Sequence, residues 1–391
     1  MLKNTDIQNI KNAIRTAIEK NEIPGANLLI FKNGQEIFYH EDGYASIEEQ
    51  LPIKRDTIFA LFSMTKPVTA AAAMLLLERG KIDLYEPVGK YLEGYRNQVV
   101  AENDALVPVI REMRIKDLLN MTSGLLYPQE GVAGMAVAEV FNEIHEKSCT
   151  ENALTTIEIA NRLGECPLAF HPGENWAYGT SADVLAAVIE VVAGVKFGDF
   201  LNKEIFEPLG MKDTAFYVPE EKRDRFAKAY MRDGEGGFKL YPGDNLGIIQ
   251  SMEREPAFES GGAGLVSTIE DYAKFSLMLM NGGSYEGISI MHPKTVKYMT
   301  TQTVNAKQQK GFDTWLEMEG HSYGNLMRVL TDTGKAGTIG SSYEYGWDGW
   351  LGCYFANCPT DNLNFLFMTQ RTDAGTMEIT RKLRNIIISS C

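Results

Sequence analysis

Apolar residues recur at every third or fourth position near both ends of the chain. The pattern from Asp6 to Lys20 predicts an amphipathic helix, and the stretch TMEITRKLRNIIISS predicts a second one. Two strand-like apolar runs lie beside each helix. The first two flank Lys32-Asn33-Gly34, and the last two flank Pro359-Thr360-Asp361-Asn362. Because such turns between apolar runs are typical of hairpins, each end predicts a helix and an antiparallel strand pair.

The middle of the chain is mainly helical in pattern. Helical spacing covers Pro67 to Arg79, Ile115 to Asn120 and Ser181 to Val192. Because the two ends carry matching strand pairs, we expect them to share one sheet. The sequence therefore predicts an α+β fold, with an antiparallel sheet built from both chain ends and flanked by the terminal helices. A sheet lobe of about residues 1–60 and 212–391 would hold an inserted, mainly helical lobe of about 61–211.

The charge of the chain argues against two classes of partner. Its 391 residues include 52 acidic and 38 basic side chains, which give a formal net charge of −14 at pH 7. Such a surface repels phosphate backbones and anionic lipid, so we expect no nucleic acid or membrane-surface partner. No apolar run approaches the roughly 18 residues of a membrane span, and the polar first residues lack a secretory signal core. We therefore expect a cytoplasmic protein.

The five cysteines do not predict a metal site. They are scattered, without a Cys-x-x-Cys pair and without histidines at metal-ligand spacing. We expect reduced thiols, no metal and no cofactor. Histidine is also a poor candidate for a catalytic base, since none of the five lies in a Gly-x-Ser-x-Gly context.

Ser63 and Lys66 lie at the start of the apolar, helix-forming segment FSMTKPVTAAAAMLLLERG. Residues three apart share one face of a helix, so the hydroxyl and the amine meet if a helix begins near Ser63. Pro67 suits a first helical turn, and the apolar surroundings indicate burial. Burial favours the neutral amine of a lysine and makes it a base for the serine. The alternative is an ordinary polar helix start, since this spacing occurs by chance about once in such a chain.

Two further segments supply groups that a serine nucleophile needs. Tyr178 follows a Pro-Gly turn and precedes a helix with an apolar face, a position suited to a phenol that shuttles a proton. The alternative is a core tyrosine with one hydrogen-bond partner. Glycines flank Trp347-Asp348 at the entrance to a strand, where a backbone N–H can point at a bound carbonyl oxygen.

In their order and context, these segments resemble the motifs of the serine β-lactamase and penicillin-binding-protein superfamily. The similarity is to its class C branch, with the related esterases, transesterases and D-aminopeptidases. Ser63-Met64-Thr65-Lys66 matches the first motif, and Tyr178-Gly179-Thr180 aligns with the second. Trp347-Asp348-Gly349 aligns with the third in the form that an esterase subgroup has. IKDLLNMTSGL and GGAGLVSTIEDYAKF also resemble family segments, and the similarity extends from about Ile14 to Ile387.

The resemblance implies a single catalytic domain of the architecture predicted above. It also implies that Ser63 is the acylated nucleophile, with Lys66 and Tyr178 as the base and the proton relay. The backbone N–H groups of Ser63 and Trp350 would form the oxyanion hole. The substrate-binding surface would further include Trp347, Asp348, Gly349 and Thr180.

Two departures from the family pattern bear on the substrate. Thr180 stands where an amide side chain usually binds an acylamino group, and its shorter hydroxyl cannot replace that amide. Trp347 stands where a cation or an imidazole usually binds a β-lactam carboxylate, and Asp348 beside it would repel an anion. We therefore expect a cofactor-independent serine hydrolase, a carboxylesterase or acyltransferase, that acts on a neutral small-molecule acyl ester or amide.

Two alternatives use the same residues. In the first, the substrate is a β-lactam or a D-amino-acid peptide. In the second, the protein is a penicillin-binding sensor whose Ser63 is acylated but deacylates slowly or not at all. A second Lys-x-Gly, Lys335-Ala336-Gly337, is a weaker candidate for the third motif, because no strand-like run follows it directly. The sequence leaves open the oligomeric state and whether Asp348 faces the pocket.

Overall fold

The computed structural model describes residues 2–103, 105–315, 317–375 and 377–391. Its helices are α1 (Asn4–Glu19), α2 (Thr65–Glu78), α3 (Ile115–Leu119), α4 (Val132–Lys147), α5 (Thr156–Glu165), α6 (Ser181–Ala193), α7 (Phe197–Leu201), α8 (Glu207–Leu209), α9 (Ile269–Met280), α10 (Pro293–Met299), α11 (Ala306–Phe312) and α12 (Glu378–Ser390). Its strands are β1 (Gly25–Lys32), β2 (Gln35–Ser46), β3 (Leu51–Pro52), β4 (Phe59–Ala60), β5 (Val99–Glu102), β6 (Ala105–Pro108), β7 (Tyr230–Arg232), β8 (Phe238–Leu240), β9 (Val266–Ser267), β10 (Ser284–Tyr285), β11 (Ile288–Ser289), β12 (His321–Gly324), β13 (Met327–Leu330), β14 (Tyr345–Asp348), β15 (Tyr354–Cys358) and β16 (Leu363–Met368). A 3₁₀ turn at Phe62–Met64 joins β4 to α2.

One antiparallel sheet contains strands from both ends of the chain. Within the described residues its strand order is β12-β13-β14-β15-β16-β1-β2-β3. The two ends meet where β1 pairs with β16, with Leu29 opposite Leu366. Other strands form short two-stranded ladders, such as β4 with β9. The prediction of an α+β fold whose sheet is built from both chain ends is confirmed.

Helices cover both faces of this sheet. On one face α1 packs against α12, and both share an apolar core with β1, β15 and β16. This core includes Ile10, Ile14, Leu28, Phe365, Leu383 and Ile387. On the other face lies α9, whose Tyr272 packs against Phe355 of β15. Because side chains alternate along a strand, two neighbouring residues of a strand face opposite layers of helices.

The helix α2 is buried along most of its length. Its residues from Thr65 to Leu76 are all buried. The helix carries Val, Ala, Met and Leu side chains on all of its faces, which is typical of a helix enclosed by protein. It packs against α6, α10 and β14. Lys66 lies in the first turn of this helix and is therefore removed from water, which disfavours the charged form of its amine.

The predicted helices begin and end within two residues of the observed ones. The sequence predicts a helix from Pro67 to Arg79, and α2 runs two residues ahead of the first bound and one residue short of the second. Thr376, the first residue of the predicted last helix, lies outside the described residues. The helices α2 to α8 all fall inside the predicted helical lobe, whose separation from the sheet lobe stays a prediction. In the described ranges no helix has the length and apolar character needed to cross a bilayer.

Candidate active site

Ser63 lies in a constrained turn directly before α2. The strand β4, anchored on β9, leads into the Phe62–Met64 turn, and the helix follows at once. Phe62 is fully buried and has a φ of 45°, in the left-handed region that bulky residues rarely adopt. Its ring packs against Trp350 with 5.1 Å between ring centroids, which helps to hold this conformation. The half-buried Ser63 is thereby fixed at the N-terminus of the helix.

Lys66 brings its amine to the Ser63 hydroxyl. Its Nζ lies 3.1 Å from Ser63 Oγ and 3.0 Å from the hydroxyl of Tyr127. It also donates a hydrogen bond of 2.9 Å to the carbonyl oxygen of Gly262. A carbonyl can only accept, whereas the two hydroxyls can donate or accept. A neutral Lys66 can therefore bind Gly262 with an N–H and direct its lone pair at the serine proton.

Burial sets the protonation state of Lys66. The residue has no exposed surface, which penalises the ammonium form and lowers the pKa from 10.5 to about 7. The negative charges of Asp183 and Asp348 oppose this shift. A substantial share of Lys66 is therefore the neutral amine near pH 7 and can accept the proton of Ser63.

The ring of Tyr178 lies next to the Lys66 amine. Nζ lies 4.5 Å from the centroid of the Tyr178 ring, and the phenol forms a hydrogen bond with the side chain of Ser63. The indole N–H of Trp347 donates a hydrogen bond of 3.0 Å to the same phenol. Burial raises the pKa of Tyr178 above its usual value of 10, and the hydrogen bonds from Ser63 and Trp347 oppose that rise. Tyr178 is therefore a protonated phenol at neutral pH, able to donate and relay a proton rather than to act as the first base.

Tyr178 belongs to a cluster of aromatic side chains, here called the aromatic wall. Its members are Trp176, Tyr178, Trp315, Tyr323 and Trp347. Trp315 is the nearest ring to Tyr178, with 4.5 Å between centroids in an edge-to-face arrangement. Trp347 and Trp176 follow at 5.7 and 6.2 Å. Such contacts fix the orientation of the phenol and make this side of the site apolar.

Gly349 brings the end of β14 against the turn that carries Ser63. A Cβ at Gly349 would lie only 2.1 Å from the carbonyl oxygen of Leu61. Any other residue would therefore force the two backbones apart. The close approach places the backbone of Trp350 beside the Phe62–Met64 turn, where its ring meets Phe62.

The loop after β16 holds Trp350 in place. Asp373 Oδ1 accepts a hydrogen bond of 2.8 Å from the Trp350 indole N–H, and the Trp350 carbonyl accepts one of 2.9 Å from the Ala374 N–H. In the turn itself, the Gly349 N–H donates to the Cys353 carbonyl at 2.7 Å. The role of the Trp350 N–H in an oxyanion hole stays a prediction.

The chain matches a known protein family over almost its whole length. The family model described as Beta-lactamase matches residues 10–387. The chain belongs to the Beta-lactamase family. Esterase EstB of Burkholderia gladioli is 29% identical over 353 residues, which cover 86% of this chain and 83% of that protein. Protein Rv1367c of Mycobacterium tuberculosis is 28% identical over 370 residues, which cover 92% of this chain and 88% of that protein.

A solved structure has the same fold. EstCE1, described as a hydrolase with promiscuous acyltransferase activity, superposes with a TM-score of 0.82. The match covers 98% of each chain at 24% sequence identity. The resemblance to the β-lactamase and penicillin-binding-protein superfamily, expected from the motifs, is confirmed.

In this member of the Beta-lactamase family, Asp348 faces away from Tyr178. It follows Trp347 on β14 and lies opposite Tyr354 in the ladder, so it shares the Tyr354 face of the sheet. The Tyr354 hydroxyl contacts Arg384 of α12, which identifies this face as the one covered by the terminal helices. Asp348 is 7% exposed, and burial raises the pKa of its carboxyl. The structure therefore places Asp348 behind the sheet and not on the substrate-binding surface.

Thr180 and Trp347 are also enclosed by protein. Thr180 is the N-cap residue of α6, has no exposed surface, and its Oγ1 has no hydrogen-bond partner among the described residues. Trp347 is fully buried and reaches the reacting groups through Tyr178. The structure therefore places both beneath the site rather than on an open binding surface.

Three residues of the site were not predicted from the sequence. Tyr127 and Gly262 bind the Lys66 amine directly, and Asp183 lies behind them. Tyr127 comes two residues after the segment IKDLLNMTSGL, and Gly262 lies inside GGAGLVSTIEDYAKF. The signal that could have found Gly262 is the paired glycine, since a Cβ there would lie 2.8 Å from Asp183 Oδ2. Nothing in the local sequence of Tyr127 distinguishes it from a core tyrosine.

Proposed function

We propose that this protein is a cofactor-independent serine hydrolase that works through an acyl-enzyme at Ser63. The proposal rests on one observation, the 3.1 Å between Lys66 Nζ and Ser63 Oγ in surroundings that lower the Lys66 pKa to about 7. A neutral amine at this distance can take the serine proton while the oxygen attacks a carbonyl carbon. EstB, named an esterase, and EstCE1, named a hydrolase, support this class of reaction.

The acylation step uses the groups in sequence. The Ser63 Oγ–carbonyl bond forms as the proton passes to Lys66, and the Ser63 and Trp350 N–H groups stabilise the oxyanion. When the bond to the leaving group breaks, Tyr178 donates its phenolic proton to the departing oxygen. Lys66 then passes the proton that it took from Ser63 to Tyr178, which restores the phenol. This transfer is short because both side chains contact Ser63. The charges balance, because the alcohol leaves neutral and the acyl group stays on Ser63.

The second half of the cycle decides between hydrolysis and transfer. Water or an alcohol attacks the acyl-enzyme, with its proton taken by Lys66, and Ser63 leaves with that proton. Water yields a carboxylic acid, whereas an alcohol yields a new ester. EstCE1 is described as having promiscuous acyltransferase activity, which supports both outcomes for this fold. We propose hydrolysis as the main reaction and acyl transfer to an alcohol as a second one.

The substrate that we propose is a neutral small-molecule ester or amide. Tyr178 and Trp315, the partly exposed members of the aromatic wall, present ring surfaces at the site, and these favour apolar acyl or alcohol groups. Trp347 binds the phenol with its N–H, so its side chain offers no charge to a carboxylate. The acidic composition of the chain also supports small neutral substrates over anionic polymers, and the cytoplasmic location stays a prediction.

The second candidate is a β-lactamase or D-amino-acid peptidase, and membership of the Beta-lactamase family favours it. The same Ser63, Lys66 and Tyr178 would then open a β-lactam or a peptide. If deacylation failed, the protein would be a penicillin-binding sensor. Nitrocefin turnover comparable with that of a short acyl ester would favour the β-lactamase, and a lasting penicillin adduct without turnover would favour the sensor.

The experiment that tests the proposed function compares Ser63→Ala with Ser389→Ala. Ser389 is an exposed serine near the end of α12, so its variant controls for the change of hydroxyl to methyl. We expect p-nitrophenyl butyrate turnover to persist in Ser389→Ala and to vanish in Ser63→Ala. Intact-mass spectrometry with a fluorophosphonate should show one adduct in the control and none in Ser63→Ala. Undiminished ester turnover by Ser63→Ala would overturn the proposal.

A further inference from the structure

Asp183 is a buried carboxylate on the first turn of α6. Only 3% of its surface is exposed, and among the described residues no ion pair within 4 Å neutralises it. Its Oδ1 accepts hydrogen bonds from the Ser260 hydroxyl at 2.5 Å and from the Gly262 N–H at 3.0 Å. The Ser260 hydroxyl itself accepts from the Ala263 N–H at 2.9 Å, so its own proton points at the carboxylate. Burial raises the pKa of the Asp183 carboxyl, and the charge of Lys66 and these two hydrogen bonds to one oxygen oppose that rise.

Gly262 connects this carboxylate to the catalytic lysine. Its N–H donates to Asp183, and its carbonyl accepts the 2.9 Å hydrogen bond from Lys66 Nζ. A Cβ at Gly262 would lie 2.8 Å from Asp183 Oδ2 and 3.0 Å from the Tyr127 hydroxyl. The bare glycine therefore lets Asp183, Tyr127 and Lys66 approach one short backbone segment.

The electrostatic surroundings of Lys66 contain few charges. The groups that face its amine or act on its charge are the hydroxyls of Ser63, Tyr127 and Tyr178, the Gly262 carbonyl, and the carboxylates of Asp183 and Asp348. Burial lowers the pKa of Lys66, and Asp183 is the first of the two charges that oppose this. Asp348 lies on the other face of the sheet, which leaves Asp183 as the carboxylate hydrogen-bonded to the segment that Lys66 binds.

We propose that Asp183 is a positioning residue of the active site, which orients the Gly262 carbonyl toward Lys66 and places a negative charge behind the amine. It acts in two ways that can be separated. The hydrogen bonds fix where the amine sits, and the charge sets how much of the amine is protonated. This inference rests on the proposed function, because it assigns Lys66 the role of base for Ser63.

The test is the pH profile of kcat/KM for p-nitrophenyl butyrate in Asp183→Asn. Asparagine keeps an oxygen that can accept both hydrogen bonds but removes the charge. Without that charge the ammonium form of Lys66 is less stable, its pKa falls, and the acid limb of the profile moves to lower pH. We expect a shift of about one pH unit, as for an opposite charge close to a buried group.

The matched control is Asp271→Asn. Asp271 is also a buried carboxylate near a helix N-terminus, but its carboxylate accepts hydrogen bonds from the Asp213 N–H, the Thr214 hydroxyl and the Lys274 amine instead of the segment that Lys66 binds. Its acid limb should coincide with that of the wild type. An unmoved limb in folded Asp183→Asn, or a shift to higher pH, would overturn the inference.

Ser260→Ala extends the test if Asp183→Asn does not fold. It keeps the charge and removes one of the two donors to Asp183. We expect kcat to fall at least threefold with little change in KM, because the lysine loses its alignment but the substrate surface is untouched. A kcat within a factor of 1.5 of wild type would contradict the positioning role. Failure of the proposed function itself is read separately, from turnover by Ser63→Ala.

Discussion

The indole N–H of Trp347 donates a hydrogen bond of 3.0 Å to the hydroxyl of Tyr178. This bond connects the third motif to the second and fixes the position of the phenol. The neutral indole can do this without bringing a charge to the relay. We therefore expect Trp347 to act on the proton transfer and not on a substrate carboxylate.

Trp347→Phe should lower kcat by about tenfold to a hundredfold with a smaller change in KM. The phenyl ring keeps much of the packing but loses the donor that opposes the raised pKa of Tyr178. Steady-state kinetics with p-nitrophenyl butyrate measure this. Trp176→Phe is the matched control, because the Trp176 indole N–H has no hydrogen-bond partner among the described residues. Equal losses of kcat in both variants would show that only ring packing matters.

The rate should depend on pH through Lys66. Below its pKa of about 7 the amine is an ammonium ion and cannot accept the Ser63 proton. We expect kcat/KM to rise about tenfold per pH unit below pH 7 and to level off above it. Stopped assays from pH 5 to 9 at constant ionic strength test this. A flat profile over that range would exclude Lys66 as the titrating base.

The stability of the protein should also depend on pH through Lys66. Between about pH 7 and 10.5 the unfolded chain binds a proton at this lysine and the folded chain does not. The free energy of unfolding of the wild type, relative to Lys66→Met, should therefore rise by about 1.4 kcal/mol per pH unit in that window. Urea denaturation at pH 7 and 9 measures the difference. A slope of the opposite sign would refute the assignment.

Gly349→Ala should disrupt the oxyanion hole. The new methyl would overlap the Leu61 carbonyl oxygen at 2.1 Å and push the Trp350 backbone away from Ser63. We expect kcat to fall by about a hundredfold or more, as when an oxyanion donor is lost. Gly334→Ala is the control, because the nearest atom to its new Cβ lies 3.4 Å away. Comparable losses in both variants would argue against a special role for this close approach.

Asp348→Asn should leave substrate selectivity unchanged. The carboxyl lies on the Tyr354 face of the sheet, so it does not repel an anionic acyl group in the pocket. The measurement compares kcat/KM for two aryl esters, one with a butyryl group and one with a succinyl group. A selective rise of more than about fivefold for the anionic ester would place Asp348 in the pocket after all.

The sequence predicted the groups whose position depends on local structure. Ser63 and Lys66 are three residues apart at a helix start, and the apolar segment that follows them implies burial. Their meeting therefore needs only one turn of helix. The approach of Trp347 to Tyr178 depends on the whole fold, and the resemblance to a known family was needed to anticipate it.

The remaining partners could not be read from local patterns. Tyr127, Asp183 and Gly262 come from three separate segments, and only tertiary packing brings them to Lys66. The orientation of Asp348 was within reach of sequence reasoning, because neighbours on a strand face opposite sides. Once Trp347 is placed toward Tyr178, the next residue must point the other way. The burial of Thr180 follows from its place at the start of the enclosed helix α6.

The pairing of β1 with β16 has a consequence for synthesis on the ribosome. Ser63 and Lys66 leave the exit tunnel before Trp350 and before β16, the last strand of the sheet along the chain. Because chains emerge from the N-terminus first, a nascent chain can hold nucleophile and base without an oxyanion hole. We therefore expect acylation at Ser63 to begin only after the ribosome has released the chain as far as β16.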